Sequence, residues 1–242
     1  CPVNPVLPGC GSCGNFNDWH GPRGGGVVRL HVANGVTLNG AITANGGSGQ
    51  ANYAGGGAGG SVLTACRTFA GAGRIEANGG APRIDTATAA YNGGGGGGGR
   101  ISVHYDTSAQ DEATCSVVCS AAGGRARIGY AGSGHMGTVY FSDNRYVADA
   151  TPFKHTGMFF APALILNHPF ASLDLQGGIR VPEGGSVTVA GSAAITGADR
   201  RSSGLYLEDG SFSCGGTLSL KAAHLRIPGG DGSNNERFKV GG

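Results

Sequence analysis

Seven cysteines, seven histidines and fifteen carboxylates are the residues of this 242-residue chain best suited to chemistry, and their spacing decides which chemistry is open to them. Cys10/Cys13 and Cys115/Cys119 form close pairs. Neither is matched by a second pair with histidines at zinc-ligand spacing, so structural zinc is the weaker reading. Disulfides are the better one, because a cysteine-rich chain of 23.9 kDa points to an oxidising, extracellular or cell-surface setting. The disulfide candidates are Cys1, Cys10, Cys13, Cys115, Cys119 and Cys214, while Cys66 falls at an inward strand position and reads as a small buried hydrophobe. The odd count leaves one thiol free or bonded outside the chain, and Cys1 would suit a bridge to a neighbour.

The acids form no catalytic pattern. Asp106, Asp111 and Asp143 stand alone, with no Asp-Asp pair anywhere. The common route of glycoside hydrolysis needs two carboxylates within reach of one bond. No acidic cluster lies beside an arginine, as calcium-assisted lyase chemistry would want. Gly229-Gly230-Asp231-Gly232-Ser233-Asn234 loosely resembles a calcium-binding Gly/Asp repeat. One copy cannot share ligands between successive turns, so it reads as a polar surface turn. The glycine runs are not phosphate loops, since none is followed by Lys-Ser/Thr or by a helix start. The histidines are scattered; His31 and His104 share an outward register two repeats apart. No enzyme activity, metal or cofactor is expected.

Net charge is +2 and 13% of residues are charged, against about 25–35% on the surface of a typical soluble domain. Fourteen of the 17 basic residues are arginine, which makes bidentate and stacked interface contacts better than lysine does. Arg200-Arg201 and Arg125/Arg127 are the densest basic spots, too sparse for nucleic acid. No transmembrane segment or hydrophobic leader is read; the chain begins at Cys1, as a mature secreted protein or a fragment of a longer chain would. No Asn-x-Ser/Thr sequon occurs, so N-linked glycans are not expected, although Ser and Thr hydroxyls leave other glycans open.

Glycine dictates the elements that carry these groups. It supplies 50 of 242 residues, roughly three times the usual share of about 7%. Each one gives up packing and costs backbone entropy on ordering, so the excess belongs where backbones approach closely or turns are stacked in register. Between the glycine runs lie strand-like phrases with period 2. Val28, Leu30 and Val32 form the first; Val62, Thr64 and Cys66 the second; Ile101, Val103 and Tyr105 the third; Val139 and Phe141 the fourth. A second phrase recurs as Gly40–Gly47, Gly73–Gly80 and, more loosely, Val117–Gly124. Fixed phrases with variable insertions predict a solenoid, with Val28, Val62, Ile101 and Val139 in one interior column and neighbouring strands about 4.8 Å apart. Asn-Gly at 34–35, 45–46 and 78–79 marks tight turns. No helical period holds for ten residues.

Four zones follow. Residues 1–22 are a Cys/Pro/Gly/Asn segment with the sole tryptophan, Trp19, and residues 23–143 hold the long-period repeats. Residues 144–172 are an aromatic and proline-broken linker or interface segment; local packing over the solenoid groove is the first reading, and an apolar interface, with Tyr146, Phe153, Phe159, Phe160 and Phe170 as its candidates, is the alternative. Residues 173–242 beat faster, with Leu173/Leu175, Ile179/Val181, Val187/Val189, Leu205/Leu207 and Phe212/Cys214 spaced like faces of compact β-helix turns. The end at Gly241-Gly242 lacks a polar or bulky cap, which predicts a neighbouring module stacked there.

Gly98-Gly99-Arg100-Ile101-Ser102-Val103 and Gly137-Thr138-Val139-Tyr140 alternate with polyglycine, and over residues 24–143 the chain resembles glycine-rich secreted repeat proteins of cell-surface appendages, flagellar hairs and sheaths among them. That resemblance implies a β-helical extracellular structural protein and carries no catalytic residue across. Gly134-His135-Met136-Gly137 resembles the Gly-His-Gly element of polygalacturonase-type β-helices, but the paired aspartates of those enzymes have no counterpart here. The expectation is an all-β chain, a parallel β-helix with long Gly-rich loop insertions. Its expected role is a structural subunit or segment of an extracellular filament, sheath or appendage, partnered by copies of itself or neighbouring modules. A carbohydrate-binding or adhesive β-helix would instead need a row of exposed aromatics or carboxylates on one face, and a carbohydrate-active enzyme would need carboxylates clustered in a groove.

Overall fold

The computed structural model describes residues 1–13, 21–50, 53–83, 93–111, 115–126, 132–143, 145–146, 155–160, 172–197, 203–208, 210–226 and 238–240. Among them the chain is all-β, with no helix, and every strand ladder is parallel. Most strands are short, three to five residues, with apolar side chains on the buried side, which is what a half-buried extended segment requires.

The repeat phrases become triplets of strands. The first holds β1 (Val27–His31), β2 (Gly35–Thr37) and β3 (Ala41–Thr43); the second holds β4 (Ser61–Ala65), β5 (Thr68–Ala70) and β6 (Arg74–Glu76). These pair strand for strand, β1 with β4, β2 with β5 and β3 with β6. β7 (Arg100–His104) and β8 (Val118–Ser120) continue beside β4 and β6. β9 (Thr138–Phe141) follows β7, and β10 (Thr156–Phe160) pairs with β8, β9 and β11 (Leu173–Val181). Beyond it, β13 (Ala193–Thr196) and β14 (Gly204–Leu207) lie on β11, and β16 (Leu218–Lys221) and β17 (His224–Arg226) lie on those. β12 (Ser186–Val189), β15 (Ser211–Cys214) and β18 (Phe238–Val240) form a separate three-stranded sheet.

The register is the one the phrases predict. Val28, Val62, Ile101 and Val139 stand directly beside one another, and the column runs on through Phe159, Ile179, Leu205 and Leu225. Ile42, Ile75 and Cys119 form a second column, as the Gly40, Gly73 and Val117 phrases require. These columns make up much of the core, with Val62, Ile75, Ile101, Val139 and Leu205 fully buried, and Phe69 and Phe212 are its largest fully buried side chains. β10 lies inside the stretch read from sequence as a linker or interface, and it carries the column across without a break.

The glycine runs are not the free loop insertions expected from sequence. They pack side by side as a layer of extended backbone. In the segment 54–60, Gly56 and Gly59 donate to Gly94 and Gly97 carbonyls, Gly57 and Gly60 to Gly47 and Ala44, and Ala58 to Cys10, at 2.7–2.9 Å. Successive residues thus point to three different neighbours and repeat every third residue, the period of a three-fold extended chain. Neighbouring segments run parallel, as 93–99 and 132–135 do, or antiparallel, as 93–99 and 77–80 do. Only glycine fits: a Cβ on Gly96 would stand 2.0 Å from the Gly57 oxygen, and one on Gly134 1.8 Å from that of Gly96.

Candidate functional site

Three places could carry function: the strand edges at the two ends of the ladder, the N-terminal segment that crosses its face, and a buried polar cluster where the repeat changes period.

At the edges, β1, β2 and β3 are each hydrogen-bonded on one side only among the described residues, and so are β16, β17 and β18. Side chains in or next to β1 and β17 match that half-finished state. Val27 and Val32 are each 38% exposed and Leu225 is 40% exposed, while Val28, Val36, Ile42, Leu218 and Leu220 rest partly buried on the core. An unpaired row of N–H and C=O groups above an apolar shelf is a template for another strand.

The N-terminal segment lies over β4 and β7. Ser61 Oγ donates to the Leu7 carbonyl at 2.6 Å and Ser102 Oγ to that of Val3 at 2.7 Å. His104 Nε2 stands 2.7 Å from the same Val3 oxygen and 2.9 Å from Ser102 Oγ, and its ring packs on Tyr140. Ser102 and His104 are therefore both partners of the same main-chain carbonyl. Beyond Pro8 the segment joins the glycine layer, with Gly9 donating to Gly25 and Ser12 to Pro22.

The polar cluster fills the space where β5 has no further strand beside it. Gln110 takes that strand's place. Its side-chain amide accepts from the Phe69 N–H at 2.7 Å and donates to the Phe69 carbonyl at 2.8 Å, and it also donates to the hydroxyl of Tyr146. Arg145 pairs with Asp143 at 2.7 Å and donates to the carbonyls of Gln110 and Thr107, tying the 106–111 turn to the end of β9. Tyr105 donates to Asp143 at 2.7 Å. Burial, helped by that bond to the carboxylate, holds the Tyr105 hydroxyl well above the usual phenol range, and burial does the same for Tyr146.

His155 receives the Cys119 N–H on Nδ1 at 2.9 Å, and its Nε2 lies 2.8 Å from the Tyr146 carbonyl. That pattern fixes the neutral tautomer with the proton on Nε2. Burial brings its pKa down to about 4, only partly offset by the Tyr146 carbonyl. The ring is clamped between Phe141 and Phe159. Each polar side chain of this cluster described above is hydrogen-bonded to another part of the chain.

The residues singled out in the sequence distribute as follows. Cys1, Cys10 and Cys13 are exposed on the N-terminal segment; Cys115, Cys119 and Cys214 are buried, and Cys66 is half-buried. No disulfide joins any of the seven. Burial pushes the thiols of Cys66, Cys115 and Cys119 up, which keeps them protonated and poor nucleophiles. Tyr146 and Phe159, 2% and 3% exposed, pack inside the chain's own core, so local packing accounts for them; Phe160 is half-buried. Phe153 and Phe170 lie outside the described residues, as do Trp19, Arg127, Arg200, Arg201 and the 229–234 turn.

His135 is exposed at the surface of the glycine layer. Asp106 is also exposed, and the hydroxyl and amide of Ser108 lower its pKa. Among the described residues no group of three metal-binding side chains converges, and no helix is long and apolar enough to cross a membrane. Sequence reasoning missed Gln110 and His155, and neither carries a spacing signal that could have exposed it.

No family model, no curated protein and no solved structure matches this chain.

Proposed function

We propose that this chain is a structural subunit or segment of an extracellular filament, sheath or appendage, wound as a parallel β-solenoid and lengthened by end-to-end stacking. One observation carries the reading: among the described residues, both ends of the ladder present one-sided strands over half-exposed valine and leucine. Pairing β17 of one copy with β1 of the next, and β16 with β3, would satisfy both rows of backbone groups and bury the shelf. The column from Val28 to Leu225 favours the solenoid, since each successive strand adds one residue to the same axial line. Low charge suits a surface that is largely covered in an assembly. The committed polar cluster and the solitary carboxylates speak for mechanics over catalysis. In this setting the exposed cysteines near the N-terminus, Cys1, Cys10 and Cys13, are the ones placed to bridge neighbours.

Negative-stain electron microscopy of native, unreduced protein tests this directly. Regular filaments are expected, and their loss on reduction would assign the bridges to those thiols. Dispersed monomers under every condition would overturn the proposal, and a glycan array with hydrolase assays would then take its place.

A further inference from the structure

The seven-glycine run at 93–99 contains two glycines that packing among the described residues does not ask for. A Cβ on Gly95, Gly96, Gly98 or Gly99 would stand 1.9–2.1 Å from a carbonyl oxygen of an adjoining segment. On Gly94 and Gly97 the nearest atoms would be 3.6 and 3.8 Å away, an ordinary contact. The amides of these two residues also have no hydrogen-bond partner among the described residues, and neither do the carbonyls of Gly95 and Gly98. Gly94 is exposed and Gly97 half-buried. Among the described residues the layer thus presents a side-chain-free shelf of main-chain donors and acceptors, and their packing gives no reason for the missing side chains.

One repeat earlier the same shelf is occupied. The β4–β7 register sets an offset of 39 residues, placing Gly55 and Ala58 where Gly94 and Gly97 stand later. There Ala58 donates to the Cys10 carbonyl at 2.9 Å, and a Cβ on Gly55 would lie 2.5 Å from Ser12 Oγ. Residues 9–12 lie over this pair as an extended strip, and the pair is small because the strip is there. We infer that Gly94–Gly97 is a second seat of the same kind, taken by an extended glycine-rich segment from another copy of this chain. Recognition runs through main-chain N–H and C=O groups, as when a strand joins a sheet edge. The chemistry of the occupant is therefore set by shape: nothing larger than a serine side chain on the contacting face and a three-residue hydrogen-bond period. This chain displays that chemistry in its own segment 9–12, preceded by Pro2, Pro5 and Pro8, which favour extended backbone. The contact is lateral and does not use the strand edges at the ends.

Sedimentation velocity on the full chain over a range of concentrations tests it, comparing the parent with Gly94→Val/Gly97→Val and with Leu225→Lys. The valine pair fills open space, so circular dichroism and the melting temperature should match the parent. Its self-association should need about tenfold more protein, while Leu225→Lys keeps the lateral species. If the valines disturb the layer, Gly94→Ala/Gly97→Ala and a labelled peptide of residues 1–13, with serine for each cysteine, serve instead: the peptide binds the parent and binds the alanine pair more weakly. An intact valine pair that associates like the parent overturns the inference, as does a peptide that binds parent and variant alike. Loss of all association in Leu225→Lys alone would leave end-to-end stacking standing and remove the lateral seat.

Discussion

Replacing Gln110 should show how much a single side chain contributes when it stands in for a missing strand. Its amide makes two buried hydrogen bonds with Phe69, one in each direction. Gln110→Met keeps the length and removes both, stranding a buried N–H and a buried C=O. At about 1–3 kcal/mol for each unmet group, the loss should be about 2–6 kcal/mol. Gln110→Glu is the sharper probe. A carboxylate there can still accept from the Phe69 N–H, but it faces the carbonyl oxygens of Phe69 and Asp111 where Nε2 now donates. Burial and those oxygens would raise its folded-state pKa above the unfolded value of about 4.3. A protonated glutamic acid keeps a donor, so the variant should be least impaired below about pH 4 and lose stability as pH rises from there. Urea unfolding of both variants and the parent at pH 4, 5.5 and 7 reads the outcome. A Met variant within about 0.5 kcal/mol of the parent, or a Glu variant whose deficit does not grow with pH, would refute the strand-substitute role.

Gly96→Ala places a methyl group 2.0 Å from the Gly57 oxygen and should cost at least about 3 kcal/mol or prevent folding, while Gly94→Ala should stay within about 0.5 kcal/mol; thermal melts separate them. Thr64 Oγ1 is buried without a hydrogen bond between the column positions of Leu30 and Val103, so Thr64→Val should stabilise by about 1 kcal/mol in urea titration. His155 is held neutral with a pKa of about 4 against an ordinary value near 6.5. The unfolded chain binds its proton first, so stability present above about pH 6.5 should fall by on the order of 3 kcal/mol as pH drops through 4. His155→Gln should lower the neutral-pH stability and flatten that slope.

The ladder was legible because two quantities that sequence displays, spacing and period, are the ones that fix it. The 34-, 39- and 38-residue intervals between Val28, Val62, Ile101 and Val139 became strand registers without a shift. A one-residue slip would have turned every buried valine outward, so the phrase and the register had to agree. The glycine runs were visible but misread. Polyglycine has no side chains to reveal a partner, and its order comes wholly from backbone groups on segments such as 47, 57, 80 and 96, which meet only after folding. Gln110 and His155 were hidden for another reason: each answers a backbone group 36 to 41 residues away, at a place where the repeat is interrupted. The aromatic block pointed to apolar packing, and Tyr146 and Phe159 do pack, but inward.

The glycine layer has a thermal consequence. Exposing apolar surface raises the heat capacity of unfolding by about 0.45 cal/mol/K per Å², whereas exposing peptide groups lowers it by about 0.26. The columns of valine, isoleucine and leucine contribute the first kind of surface; the stacked backbones around Gly57, Gly80 and Gly96 contribute almost entirely the second. Heat capacity per residue should therefore fall below the usual value of about 12–15 cal/mol/K, a difference that scanning calorimetry resolves. A smaller heat capacity makes a shallower stability curve. The apolar interior loosens its hold as temperature drops, but an amide lattice does not share that weakness, so the two kinds of cohesion fail at opposite ends of the temperature scale.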